Sequence, residues 1–257
     1  LMIASGAGDL AVKIDTEMET AYIRDMHYAE IDVWANKNGF TSNELAWIQP
    51  GYAPPIPWVA LGGGTDGQQV DELLRLSNGD LVVAGQFSYA GSTVAQNVAR
   101  WNGTAYEVMG VIPEGQVNAS IEFDGEIYLG GSFIAGTVDL LKWNNGTWEQ
   151  SSVFSSKYAE LTALHEHDGA LYAAGSRSGF AGIDHGVQRL DNGTWDPVGQ
   201  LLNGPIEALE SFDGTLIAGG QFTDIFLSQD NSIQHVARLN ENTWEQLGEG
   251  LNGSVYD

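Results

Sequence analysis

A pair of small residues closes an apolar run four times along this chain, at Ala84-Gly85, Gly130-Gly131, Ala174-Gly175 and Gly219-Gly220. The recurrence is roughly every 45 residues, the spacing of a stacked-repeat architecture. Ahead of each pair stands a tight-turn glycine: Asn78-Gly79, Asp124-Gly125, Asp168-Gly169 and Asp213-Gly214. Beyond each pair a looser stretch leads to a second turn between large side chains. Examples are Lys142-Trp143-Asn144-Asn145-Gly146-Thr147-Trp148 and Arg238-Leu239-Asn240-Glu241-Asn242-Thr243-Trp244. A unit this short cannot bury its own faces alone, so the units must stack on one another.

Each repeat reads as four short strands. In the fourth, strand a spans about Ile206–Phe212 and strand b Thr215–Gly219. A long loop Gln221–Gln234 follows, then strand c His235–Leu239 and strand d Thr243–Leu247. Asp-Gly and Asn-Gly suit the two-residue hairpins between strands because both residues tolerate positive φ. The small pair ending strand b predicts a close backbone approach. The expected fold is all-β: a β-propeller of four-stranded antiparallel blades at 68–110, 116–153, 160–199 and 205–248. Trp58-Val59-Ala60-Leu61-Gly62 matches Trp244-Glu245-Gln246-Leu247-Gly248, and residues 251–257 resemble the opening of another repeat. Residues 58–62 and 251–257 are therefore expected to belong to a partial blade, and the chain to be a piece of a longer one.

Residues 1–57 do not repeat. Between Thr16 and Asn36 the apolar spacing is closer to helical than alternating, which predicts a helix. Thr41-Ser42-Asn43-Glu44 has the pattern of a helix start. Ala53-Pro54-Pro55-Ile56-Pro57 reads as a stiff connector at a domain boundary.

Acidic residues number 34 against 10 basic ones, a formal charge of -24. That balance argues against nucleic acid and against anionic lipid, both of which require a basic surface. No run of about 18 apolar residues is present to span a membrane. Two accounts of the acidity stand: a solvated surface suited to salty water, or a surface that binds Ca2+ or another cation. The scatter of the acids favours the first, and no cofactor is expected. The absence of cysteine removes disulfides and thiolate metal sites.

The small pair after strand b, the large residue on strand c and the Trp on strand d resemble the kelch and galactose-oxidase central-domain propellers. More narrowly, Trp-Glu-Gln-Leu-Gly-Glu-Gly-Leu-Asn-Gly, with Ala-Gly-Gly-Gln-Phe and Val-Ala-Arg-Leu, is similar to repeats of Rax2-like cortical-marker proteins. Similar repeats also occur in large secreted proteins of marine bacteria. The likeness covers residues 58–257. It implies a propeller and leaves function open, since such propellers serve as enzymes, adhesins and scaffolds. The galactose-oxidase copper site requires a cysteine, which this chain lacks, so that activity is not implied. Asp191-Asn192-Gly193-Thr194-Trp195 looks related to a sialidase Asp box but lacks its leading Ser and is one residue short. It reads as a hairpin.

Several side chains invite chemistry. His165 and His167 would share a strand face and two imidazoles so placed can chelate. Yet His167 fills the slot of Phe123 and Phe212, which favours packing. His185 and His235, in or beside the loops between strands b and c, read as solvated or capping. Acid pairs such as Asp71-Glu72 and Glu207/Glu210 suggest a glycosidase. Asp71, Asn118, Thr162 and Glu207 share one inner-strand register and are expected to line a solvated channel. The Asn-Gly-Thr sequons follow from turn chemistry.

Strand order puts the short hairpins on one face and the long b–c loops on the other. These loops are Gln86–Asn97, Ser132–Asp139, Ser176–Gly186 and Gln221–Gln234, and they vary freely. Their Tyr89, Phe180, Asp184, Asp224, Phe226 and Asp230 are the candidate binding residues, for a protein or glycan ligand. Phe87, Phe133 and Phe222 are read as packing. The expected function is a non-catalytic extracellular binding or structural module, joined to further blades or domains of a larger secreted or cell-surface protein. The alternatives are an accessory domain of a secreted hydrolase, or a propeller enzyme with an acidic channel site.

Overall fold

A computed structural model describes residues 2–5, 10–15, 20–22, 60–67, 69–134, 137–144, 146–154, 158–179, 182–227 and 233–256. The chain divides into two units, Leu1–Ala60 and Leu61–Asp257. In the first, β1 (Met2–Ser5), β2 (Leu10–Asp15) and β3 (Thr20–Tyr22) form an antiparallel sheet in that order. The helix expected from Thr16 onward is thereby corrected, because Thr20–Tyr22 is a strand paired with Lys13–Asp15. Thr and Tyr favour extended backbone, and the pairing partner lies outside the window in which a helical period was read. The expected helix start at Thr41, the connector Ala53–Pro57 and Trp58-Val59 lie outside the described residues.

The second unit is all-β. After a short 3-10 turn, Leu61–Gly63, come β4 (Gln69–Arg75), β5 (Leu81–Gln86), β6 (Tyr89–Ala90), β7 (Thr93–Val94), β8 (Val98–Trp101) and β9 (Tyr106–Val108). Next are β10 (Gly115–Phe123), β11 (Glu126–Phe133), β12 (Val138–Asn144) and β13 (Thr147–Ser151). Then follow β14 (Glu160–His167), β15 (Ala170–Gly179), β16 (Gly182–Asp191) and β17 (Thr194–Leu202). Last are β18 (Ile206–Phe212), β19 (Thr215–Gly220), β20 (Val236–Asn240) and β21 (Thr243–Gln246). They form four antiparallel four-stranded sheets, β4-β5-β8-β9, β10-β11-β12-β13, β14-β15-β16-β17 and β18-β19-β20-β21, called sheets one to four here. β6 and β7 make a separate small hairpin. No helix among the described residues is long and apolar enough to cross a membrane.

Turn chemistry sets these sheets. Asp124-Gly125, Asp168-Gly169 and Asp213-Gly214 have positive φ at both central positions. That is the hairpin turn whose twist matches the flanking strands. The observed strands of the fourth repeat agree with the expected ones to within a residue at each end. One expected loop is corrected: most of Ser176–Gly186 is strand, because β15 and β16 continue in register out to Gly179↔Gly182.

Consecutive sheets bury their faces on one another. Val82, Val98, Leu129 and Leu141 join sheet one to sheet two. Ala119, Leu140, Leu161 and Leu171 join sheet two to sheet three. Tyr172, Val187, Leu216 and Trp244 join sheet three to sheet four. The first strands of successive sheets, β4, β10, β14 and β18, are neighbours in that order. One indole hydrogen bond adds specificity between sheets one and two, where Trp148 Nε1 donates to Met109 O at 2.6 Å. Phe87, Phe133 and Phe222 are buried, a packing role. On the far side of sheet four Phe212 is 70% exposed, whereas its counterparts Phe123 and His167 are half-buried.

Candidate functional site

Each first strand carries a β-bulge at the same place. Against β5, Val70 pairs with Gly85 and Glu72 with Ala84, so Asp71 is the extra residue. The same shift leaves Asn118 extra in β10, Thr162 in β14 and Glu207 in β18. A bulge withdraws one residue from the ladder and re-aims its side chain. The small pairs explain why it forms here. A Cβ on Gly85, Gly131, Gly175 or Gly220 would lie 2.4, 2.0, 2.2 or 2.1 Å from the carbonyl oxygen of Gln69, Gln116, Glu160 or Pro205. The second member of each pair must therefore be glycine for the bulged backbone to settle onto it.

The four bulged residues meet in one pocket of about 370 Å³, lined also by Gln69, Val70, Gln116, Val117, Glu160 and Tyr256. Three lining side chains are carboxylates, and none is basic. Both carboxylate oxygens of Asp71 are shielded from solvent and accept no hydrogen bond. Asn118 Nδ2 donates to Glu160 Oε1 (3.2 Å) and to Leu161 O (3.1 Å), tying sheet two to sheet three. The Thr162 hydroxyl reaches Ile206 O, tying sheet three to sheet four. Ser120 Oγ donates to Glu72 Oε2 at 2.8 Å, tying sheet two to sheet one. Glu207 accepts from Gln221 Nε2 at 2.7 Å, which brings the start of a b–c loop to the pocket wall.

Tyr256 joins by a structural rhyme. Val255 N–H donates to Gly220 O (3.1 Å), and its Cγ1 would lie 2.7 Å from a Cβ on Gly219. Leu161 is related in the same way to Gly130, whose Cβ would lie 2.3 Å from Leu161 Cδ2. Val255-Tyr256 thus stands beside sheet four as Leu161-Thr162 stands beside sheet two.

The loop residues expected to bind are placed differently. Tyr89 is exposed in β6, and its N–H donates to Asp66 Oδ1 at 2.7 Å. Asp184 lies within β16, its side chain 13% exposed and 3.7 Å from Arg177 Nε. Asp224 N–H donates to Asn203 Oδ1 (3.0 Å) and Asp224 Oδ1 accepts from Ile225 N–H (2.8 Å), so it shapes a turn. Phe226 is half-buried, with its N–H donating to Leu201 O at 2.8 Å. Phe180 and Asp230 lie outside the described residues. None of the four described residues lines the pocket.

The histidines take structural positions. His165 Nε2 and His167 Nδ1 each lie 2.8 Å from Ser211 Oγ, and His167 stacks edge-on against Tyr172. Burial pulls the His165 and His185 imidazoles below their ordinary pKa. Asp139 is buried and accepts from the amides of Val153 (2.6 Å) and Phe154 (2.9 Å). Among the described residues no three His, Asp or Glu side chains are grouped as a metal ion requires.

Sequence reasoning aligned Asp71, Asn118, Thr162 and Glu207 but missed the bulge and the contributions of Gln69, Gln116, Glu160 and Tyr256. The available signal was an apolar–polar step before every small pair: Val70-Asp71, Val117-Asn118, Leu161-Thr162, Ile206-Glu207. No protein-family model matches the chain, and a search of curated proteins finds no match either.

Proposed function

We propose that the second unit is a kelch-like β-propeller and that the chain is a non-catalytic binding module of a secreted or cell-surface protein. Its ligand seats in the pocket where the first strands meet. Sheets radiating from an axis place their first strands side by side and gather the starts of those strands around one opening. The neighbouring order of β4, β10, β14 and β18 and their shared pocket fit that arrangement. The observation carrying the functional reading is the repeated bulge. Four polar residues are withdrawn from ladders at one register and line one cavity, although unbroken strands would bury more backbone hydrogen bonds. The last b–c connection begins beside the pocket wall, where Gln221 donates to Glu207.

The test is a screen of the protein against arrays of defined oligosaccharides and synthetic peptides, repeated with Asn118→Ala and Tyr89→Ser. A pocket ligand loses at least about tenfold in affinity with Asn118→Ala, and little with Tyr89→Ser. Binding that depends on Tyr89 and ignores Asn118 would move the site to the outer loops and refute the assignment.

A further inference from the structure

Three kinds of position recur where one sheet seats the next, and beyond sheet three each of them lacks a cover among the described residues. The first is a glycine four residues past the aromatic side chain of an outer strand: Gly110 after Tyr106, Gly199 after Trp195, Gly248 after Trp244, and Gly62 after Trp58. All four glycines have positive φ, which only glycine adopts freely. A Cβ on Gly62 would lie 2.2 Å from the Trp101 ring, one on Gly110 3.4 Å from the Trp143 ring, and one on Gly199 2.4 Å from Trp244 Nε1. An indole of the following sheet thus lies over each. At Gly248 (φ +61°) no described residue comes within 4 Å of that point. The second is a glycine at the entry to a first strand. A Cβ on Gly67, Gly115 or Gly204 would lie 1.9, 2.2 or 3.0 Å from the carbonyl oxygen of Gln86, Ser132 or Gln221, the residue before buried Phe87, Phe133 or Phe222. At Gly253, two residues before Val255, no described residue comes within 4 Å. The third is the hairpin end of the first strand. Leu76 is buried between sheets one and two, Phe123 packs between sheets two and three, and His167 rests on Ser211 of sheet four. Phe212, their counterpart, is 70% exposed.

A unit that terminates a stack of repeats carries a polar outer face. Sheet four instead shows Phe212 and the two glycine sites whose counterparts seat the following sheet, and Val255 already stands where that sheet's first strand would. A second copy does not suit this face. Its sheet one is closed by its own chain, with Trp101 over Gly62 and Gly91 N–H donating to Gly64 O at 2.6 Å, and its other sheets are packed on one another. We infer that this end of the molecule is a docking surface for a further repeat of the same pattern, carried by a partner. The partner supplies an apolar strand that pairs with residues 253–256 and sets its carbonyl on Gly253. It also supplies an outer-strand Trp that lies over Gly248, and apolar side chains that cover Phe212. Recognition is by strand addition, in which backbone hydrogen bonds give affinity and the shaped positions along the strand give specificity. The surface is separate from the pocket reading and does not depend on what the pocket binds.

The experiment adds a synthetic peptide with the sequence of residues 215–248, the last three strands of sheet four, to the intact protein. Binding is followed by calorimetry and by amide hydrogen exchange. One-to-one binding is expected, with slowed exchange at residues 253–256. Trp244→Ala in the peptide removes the indole meant for Gly248 and is expected to weaken binding at least about tenfold. Gly253→Val and Phe212→Ser in the protein change an open position and an exposed one. Each is expected to move the free protein's melting midpoint by no more than about 2 °C and to weaken binding at least about tenfold. Should the peptide be insoluble, residues 209–248 are appended after Asp257. The melting midpoint is then expected to rise by at least about 5 °C, a gain that Gly253→Val removes. Absence of both binding and stabilisation overturns the inference, as does binding that ignores Gly253→Val and Phe212→Ser alike. A concentration-dependent dimer that Phe212→Ser dissolves would seat a second copy on this face and overturn it too.

Discussion

A Cβ on Gly131 would lie 2.0 Å from Gln116 O and 3.1 Å from Val117 Cα, both backbone atoms that cannot rotate away. Gly131→Ala is therefore expected to cost about 2 kcal/mol, the scale of forced backbone movement. In a unit of this size that lowers the melting midpoint by about 5 °C. Gly130→Ala, which meets only the flexible end of Leu161, costs less; paired thermal melts distinguish the two. Asp139 offers a titration. Burial holds its carboxyl above the ordinary 3.8, outweighing the amide hydrogen bonds that favour the charge. The folded state keeps this proton to higher pH than the unfolded chain does. Its contribution to stability is thus full below 3.8 and shrinks as pH rises through the folded value. Asp139→Asn is expected to erase that slope in urea melts across a pH series. At neutral pH it costs about 2 kcal/mol, because an amide NH2 then faces a backbone donor. The small pairs were visible as a motif, but the carbonyl that demands them becomes evident only once a strand is bulged opposite.

Hairpins were the most legible elements, because Asp-Gly at 124, 168 and 213 specifies a turn through local backbone strain alone. β3 was the least legible, since its partner is a separate strand and nothing within its own few residues announces pairing. Asp184 was misplaced for a related reason: an extended hairpin and a loop share a polar composition, and only the register of β15 with β16 separates them. Packing between elements carries its own pH dependence. His165 and His167 of β14 share the Ser211 hydroxyl of β18. Burial, seconded by His167, depresses His165 below 6.5, against the opposing carboxylates of Glu210 and Glu166. Because the folded state holds this proton less readily, the stabilisation is present above 6.5 and is lost as pH falls toward the folded value. The melting midpoint is expected to fall between pH 7 and pH 5. The slope is at most about 1.4 kcal/mol per pH unit for this proton. His165→Asn flattens the profile, and an unchanged profile would remove His165 as the cause.

For the molecule as a whole, recurrence along the chain translates into sheets that recur and pack in sequence, so the stacking was readable before any coordinate. Its acidity has a collective effect. With a formal charge of -24, mutual repulsion opposes the folded state and added salt screens it. The melting midpoint should rise by several degrees, roughly, between 20 mM and 500 mM NaCl in a thermal-shift series. A flat response would mean that the acids are compensated locally, as Glu107 is by Arg100 and Asn102 and Glu245 by Arg238 and Asn240.

The bulges separate two kinds of inheritance within one repeat. Asp71, Asn118, Thr162 and Glu207 stand outside the strand ladder and occupy equivalent places, yet they already differ in charge and size. The glycine across from each does not vary. Selection can therefore rewrite the ligand preference of such a protein one sheet at a time, leaving the scaffold that presents those four letters untouched.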